Sequence, residues 1–182
     1  MFIYPNLITC LRFLLVIPIS IFIYQGDDLL ALILFIVAGI SDGLDGYLAR
    51  RYDSETKFGQ IADPIADKFL ILATLLALAF SMKLPLWFVY LMLARDGVVL
   101  IGAILYLLIF DTKDVMSNRW GKHYTGWTIA LFFIVLLKAT SPQIPILIEW
   151  IAMTGVIIFV FLSVYEYSRK EGRELLKSLY GS

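Results

Sequence analysis

Four aspartates, Asp42, Asp45, Asp63 and Asp67, interrupt one of the most apolar stretches of this 182-residue chain. A carboxylate near hydrocarbon costs about 2.5 kcal/mol or more on insertion scales, and four together repel one another. A cationic partner must therefore compensate them. Asp42 and Asp45 are three residues apart, and Asp63 and Asp67 four apart, so each pair falls on one helix face. Two such faces across a short turn gather four hard oxygen donors. With no His or Cys among them, the set selects Mg²⁺, Mn²⁺ or Ca²⁺ over zinc. Four negative charges suit two divalent ions, and paired metals are a recurrent device for in-line displacement at phosphorus. Gly43, Gly46, Ala49, Gly59, Ala62 and Ala66 accompany the acids. Glycine inside a helix costs about 1 kcal/mol against alanine, and room for a bulky ligand beside the metals is one reason to accept that. Close helix packing is the other. Pro64, directly after Asp63, is expected to kink its helix and open the site wall.

The elements that carry these residues are legible in the composition. Hydrophobic residues make up 60% of the chain and charged residues 16%, against roughly 45–50% and 25% in soluble domains. The reading is an all-α integral membrane protein, one domain over residues 1–182. Six apolar segments, near 5–24, 29–51, 58–81, 85–110, 120–140 and 144–168, each approach the roughly 20 residues of a spanning helix. Residues 169–182, with leucines among charges, suit an interfacial C-terminal helix. Lys and Arg near the turns divide ten against two, which places both termini and the turn between the aspartate pairs in the cytoplasm. At about 1.5 Å per residue, the aspartates, Arg12 and Arg95–Asp96 share one slab, expected to line a cytoplasm-facing active-site pocket. A net charge of zero gives no sign of a nucleic-acid partner. The single Cys10 excludes an internal disulfide, and the N-terminus lacks the pattern of a removable signal peptide.

Asp42, Asp45, Gly46, Ala49, Arg50, Gly59, Asp63 and Asp67 fit D-x2-D-G-x2-A-R-x8-G-x3-D-x3-D position for position. In this the chain resembles the CDP-alcohol phosphotransferase family, membrane enzymes that transfer a substituted phosphoryl group from a CDP-linked donor, usually CDP-diacylglycerol, to an alcohol and release CMP. The resemblance implies that the four aspartates hold two divalent cations, Mg²⁺ or Mn²⁺, against the donor's pyrophosphate. It makes Asp67 the general base as well, and gives Gly46, Ala49, Arg50 and Gly59 to the CDP moiety. It also implies a homodimer in the cytoplasmic membrane.

The acceptor is read from other residues. Asn6-Leu-Ile-Thr9-x2-Arg12 and Asp63-Pro-Ile-Ala-Asp67-Lys68 resemble the branch that contains bacterial phosphatidylglycerophosphate synthases. In that branch the acceptor is glycerol 3-phosphate. Arg12, Arg95 and Lys122 are the residues expected to bind its phosphate. Ala94-Arg95-Asp96 departs from the Ala-Arg-Glu common there and looks like cardiolipin synthases of the same family, whose acceptor is phosphatidylglycerol. A reading from a different class, a divalent-cation transporter, requires polar residues continuing across the membrane. Residues 29–38 and 70–80 are almost wholly apolar instead. His123 reads as an interfacial polar residue, and Trp87, Trp120 and Trp150 as interface anchors.

Overall fold

The six apolar segments become six helices in the computed structural model. It describes the backbone of residues 4–52, 57–110 and 119–180, and side chains over 12–41, 65–102, 104 and 119–169. The helices are α1 (Tyr4–Gln25), α2 (Asp28–Tyr52), α3 (Lys57–Phe80), α4 (Leu86–Phe110), α5 (Arg119–Thr140) and α6 (Ile146–Tyr180). Among the described residues, two stretches are long and apolar enough to cross a membrane, Arg119–Thr140 and Ile146–Arg169. Shorter apolar stretches occupy Arg12–Gln25 and Asp28–Ser41. The last helix does not end where hydropathy falls at residue 168 but continues to Tyr180. Lys, Arg, Glu and Leu are good helix formers, so a charged tail continues the helix after its apolar stripe stops. α3 likewise runs through position 64 as one helix.

The chain divides into two compact units, Met1–Pro85 with Phe132–Pro145, and Leu86–Leu131 with Ile146–Ser182. In the first, α1 packs against both α2 and α3. Its core joins Ile19 and Ile23 of α1, Ala31, Leu32 and Phe35 of α2, and Leu75 and Leu78 of α3. Phe35 meets Phe132 edge-on at 6.3 Å between ring centroids. The outward faces carry Leu14, Ile17 and Ile21 on α1, and Ile33, Val37 and Ile40 on α2. Exposed apolar surface on this scale marks a face built for lipid or a partner rather than water.

Two helix ends in this unit use the same backbone device. After α1, Gly26 takes φ 84°; its N–H donates to the Ile23 carbonyl, and the Asp27 N–H to the Phe22 carbonyl at 2.9 Å. After α3, Met82 takes φ 55°, with Met82 N–H donating to Ala79 and Lys83 N–H to Leu78. Both are the paired hydrogen bonds that close a helix around a left-handed residue. The second does so with a side chain that disfavours that conformation. These ends are stitched together. Ser81 donates to the Ile23 carbonyl at 3.0 Å, and the Lys83 ammonium donates to the same carbonyl and to Asp28.

In the second unit α4 packs on α6, with Phe88 and Met92 of α4 and Val156 and Val160 of α6 buried. A Cβ on Gly155 would collide with the Trp127 ring, and one on Gly102 with the Tyr167 ring. Here small residues serve packing.

Candidate active site

Asp42 and Asp45 lie on α2, and Asp63 and Asp67 on α3, the two helices that α1 contacts. Of the four, Asp67 alone lies among the described side chains. Asp42, Asp45, Asp63, Gly46, Ala49, Arg50 and Gly59 occupy helical positions whose side chains fall outside them. Among the described residues, no three His, Cys, Asp or Glu groups gather as a metal site.

Asp67 has a partner that residue types alone did not assign. Arg12 reaches across from α1, and its Nη1 donates to Asp67 Oδ1 at 2.5 Å. Arg12 is fully buried, whereas the Asp67 side chain is 43% exposed. Burying a guanidinium this fully is costly unless an opposite charge accompanies it. Asp67 supplies that charge. Arg12 in turn fixes one oxygen of Asp67 from the buried side, while the carboxylate stays reachable from outside. The contact joins α1 to α3 across 55 residues of chain. A carboxylate of this kind, hard and anchored yet accessible, fits a divalent cation's preference for oxygen donors.

The remaining candidates belong to the second unit. Arg95 of α4 is buried. Its Nε donates to Ser163 Oγ on α6 at 3.0 Å, and its Nη1 to Asp96 Oδ1 at 2.7 Å. The guanidinium lies over the Tyr124 ring of α5, 4.1 Å from the centroid. Three helices therefore meet at one cation. Lys122 is exposed in the first turn of α5, and Thr125 donates to the Gly121 carbonyl there. His123 is exposed and stacks on Phe159 at 5.5 Å, beside Trp120, as an interfacial polar residue would.

Ser163 and Tyr124 are the residues that motif reading missed. Ser163 sits inside the apolar run of residues 156–164, where a serine commonly bonds its own helix backbone. It does so here, donating to the Val160 carbonyl at 2.9 Å. Only a packed α4 and α6 reveal that its lone pair also receives Arg95.

Residues 2–162 match the family model described as CDP-alcohol phosphatidyltransferase. A CDP-diacylglycerol–glycerol-3-phosphate 3-phosphatidyltransferase of Bacillus subtilis (strain 168) is 32% identical over 98% of this chain and 100% of its own length. A protein of the same name from Aquifex aeolicus (strain VF5) is 36% identical over 95% of this chain and 98% of its own. A probable CMP-forming cardiolipin synthase of Drosophila melanogaster is 42% identical over 54% of this chain and 31% of its own length.

Proposed function

The chain belongs to the CDP-alcohol phosphatidyltransferase family, and from that premise we propose that it transfers the phosphatidyl group of CDP-diacylglycerol to glycerol 3-phosphate, giving phosphatidylglycerol phosphate and CMP. The observation that carries this reading is the agreement of two independent features. The aspartate signature is complete in this chain, and relatives named for this reaction match it essentially end to end.

Asp42, Asp45, Asp63 and Asp67 are the residues that would hold two divalent cations, Mg²⁺ or Mn²⁺. Such ions offset charge on the donor's pyrophosphate and on the oxygen that leaves with CMP. Asp67 takes the proton of the acceptor hydroxyl. That oxygen then forms its bond to the phosphatidyl phosphorus as the bond to the CMP oxygen breaks. Arg12, holding Asp67 Oδ1, fixes the rotation of the carboxylate so that its outer edge meets the hydroxyl. Gly46, Ala49 and Gly59 leave room for the cytidine and pyrophosphate, and Arg50 supports the donor phosphates. Arg95 and Lys122 supply cationic groups for the acceptor's phosphate. Arg12, placed with them on residue type, contributes through Asp67.

The protein is further proposed to span the cytoplasmic membrane six times, with both termini and the aspartates on the cytoplasmic side, the 169–182 tail at the interface, and two copies forming a homodimer. The ten-to-two distribution of Lys and Arg supports that orientation. Ser54→Cys in a Cys10→Ser background is expected to react with a membrane-impermeant thiol reagent from the cytoplasmic side alone. Labelling from outside intact cells overturns the topology, and a monomer mass in mild detergent overturns the dimer.

A second reading rests on the match to the fly relative and on Asp96 following Arg95: cardiolipin synthesis, with phosphatidylglycerol as acceptor. The test incubates purified protein with CDP-diacylglycerol, Mg²⁺ or Mn²⁺, and either acceptor, following CMP and the lipid product. CMP release with glycerol 3-phosphate, lost on adding a chelator and regained with the metal, is expected. Product with phosphatidylglycerol alone moves the assignment to the second reading. No CMP with any alcohol, from folded protein, rejects both.

A further inference from the structure

Arg95 is held in a way that its own helix does not explain. A guanidinium has five N–H donors. One, on Nε, goes to Ser163, and one, on Nη1, goes to Asp96. One face rests on the Tyr124 ring. Among the described residues no hydrogen bond engages Nη2. Ser163 is fully buried and spends its single hydroxyl proton on the Val160 carbonyl. It can therefore only accept from Arg95. Toward Arg95, which carries donors only, it is the acceptor. It is also neutral, so it orients the guanidinium without cancelling its charge. A carboxylate in its place would add a second negative charge beside that of Asp96.

We propose that Ser163 is a positioning residue for acceptor recognition: it fixes the rotation of Arg95 about its Nε so that the Nη2 edge is presented to the phosphate of glycerol 3-phosphate. The Tyr124 ring closes the opposite degree of freedom by covering one face of the guanidinium plane. This deepens the proposed function and rests on its reading of Arg95 as a cation for the acceptor. Ser163 itself touches no substrate. A planar fork recognises phosphate only when its edge is aligned, so a freely turning Arg95 retains its charge and loses much of its grip.

The experiment measures steady-state kinetics of the intact protein in lipid–detergent micelles. Glycerol 3-phosphate is varied at saturating CDP-diacylglycerol, and then the reverse. Ser163→Ala removes the acceptor of a charged hydrogen bond and is expected to raise KM for glycerol 3-phosphate about tenfold. KM for CDP-diacylglycerol stays at the wild-type value and kcat changes little. Ser163→Thr keeps the oxygen and is expected to restore KM. Tyr124→Phe keeps the ring and leaves KM unchanged, whereas Tyr124→Leu raises it. On an Arg95→Ala background, Ser163→Ala should add nothing. A merely structural serine would instead lower kcat or raise both KM values together, and that result overturns the proposal. So does an unchanged KM in Ser163→Ala beside a raised KM in Arg95→Ala, which leaves the role of Arg95 standing. If Arg95→Ala itself leaves KM unaltered, the underlying reading of Arg95 fails and the positioning role falls with it. Should Ser163→Ala not fold, Tyr124→Leu against Tyr124→Phe decides: equal KM values in these two contradict the proposal.

Discussion

Among the described residues each unit buries one arginine, and the two are compensated differently. Arg12 is fully enclosed and paired with a carboxylate on another helix, 55 residues along the chain. Arg95 is nearly enclosed but held by a neutral hydroxyl, an aromatic face and the partly exposed Asp96 beside it. The first arrangement consumes the cation's charge to fix an anion. The second fixes the cation from three sides, with a hydroxyl, an aromatic face and the Asp96 carboxylate. That contrast matches the proposed chemistry, in which Asp67 works as the anion and Arg95 meets one. Both arginines thus hold a carboxylate; Arg12 holds one brought from another helix, whereas Arg95 holds its chain neighbour and is oriented in addition by a neutral hydroxyl and an aromatic face.

Substitutions can break this comparison at either arginine. Arg12→Ala should have the largest effect, because it removes the anchor of Asp67 and leaves a void between α1 and α3. Breaking a fully buried pair costs about 3–5 kcal/mol. With Asp67 43% exposed, about 2 kcal/mol is the fitting estimate, solvent taking over part of the lost partnership. Thermal unfolding in detergent should show a clear fall in melting temperature, accompanied by a lower kcat. An unchanged melting temperature would mean that the pair supports nothing. Arg95→Ala comes next. It should raise KM for glycerol 3-phosphate roughly 10- to 100-fold, the loss of one or two charge-assisted hydrogen bonds, with a smaller change in melting temperature than Arg12→Ala. Equal stability losses at the two sites would erase the distinction between support and binder.

A double-mutant cycle sharpens the same point. Coupling between Arg12 and Asp67, measured with Arg12→Met and Asp67→Asn, should exceed that between Arg95 and Asp96. The latter are chain neighbours held close by their own helix, whereas Arg12 and Asp67, 55 residues apart, meet only on folding. Reversed magnitudes would contradict that ranking. The smallest effect lies away from both arginines. Met82→Gly relieves a left-handed residue that costs roughly 1 kcal/mol, so a slight rise in melting temperature is expected. A fall would show that the Met82 side chain contributes more than its backbone costs.

Much of the fold could be read directly from residue order. The expected segments at 5–24 and 29–51 lie within one residue of α1 and α2 at each end, because Gly26 and Asp27 interrupt the apolar run where the helix-closing hydrogen bonds form. α6 overran its expected end because hydropathy locates an apolar stripe and says nothing about where helix-forming charged residues stop. In the candidate site, spacing placed the aspartates on two helices. Depth alone put Arg12 level with Asp67, but their contact depends on how α1 is turned against α3, which an all-round apolar helix leaves unspecified. Ser163 was invisible for a related reason. Its bond to Val160 is what any serine in an apolar helix makes, and its second bond exists only once α4 and α6 pack.

The central claim, that Asp67 anchored by Arg12 is the base of a phosphatidyl transfer, is tested most directly by CMP release from Asp67→Asn. The variant is assayed with CDP-diacylglycerol, glycerol 3-phosphate and Mg²⁺, and its folding and donor binding are verified in the same preparation. Loss of a general base alone lowers a rate by about 10²–10⁴-fold, so CMP release should fall at least that far while donor binding persists. CMP release at the wild-type rate would contradict the account.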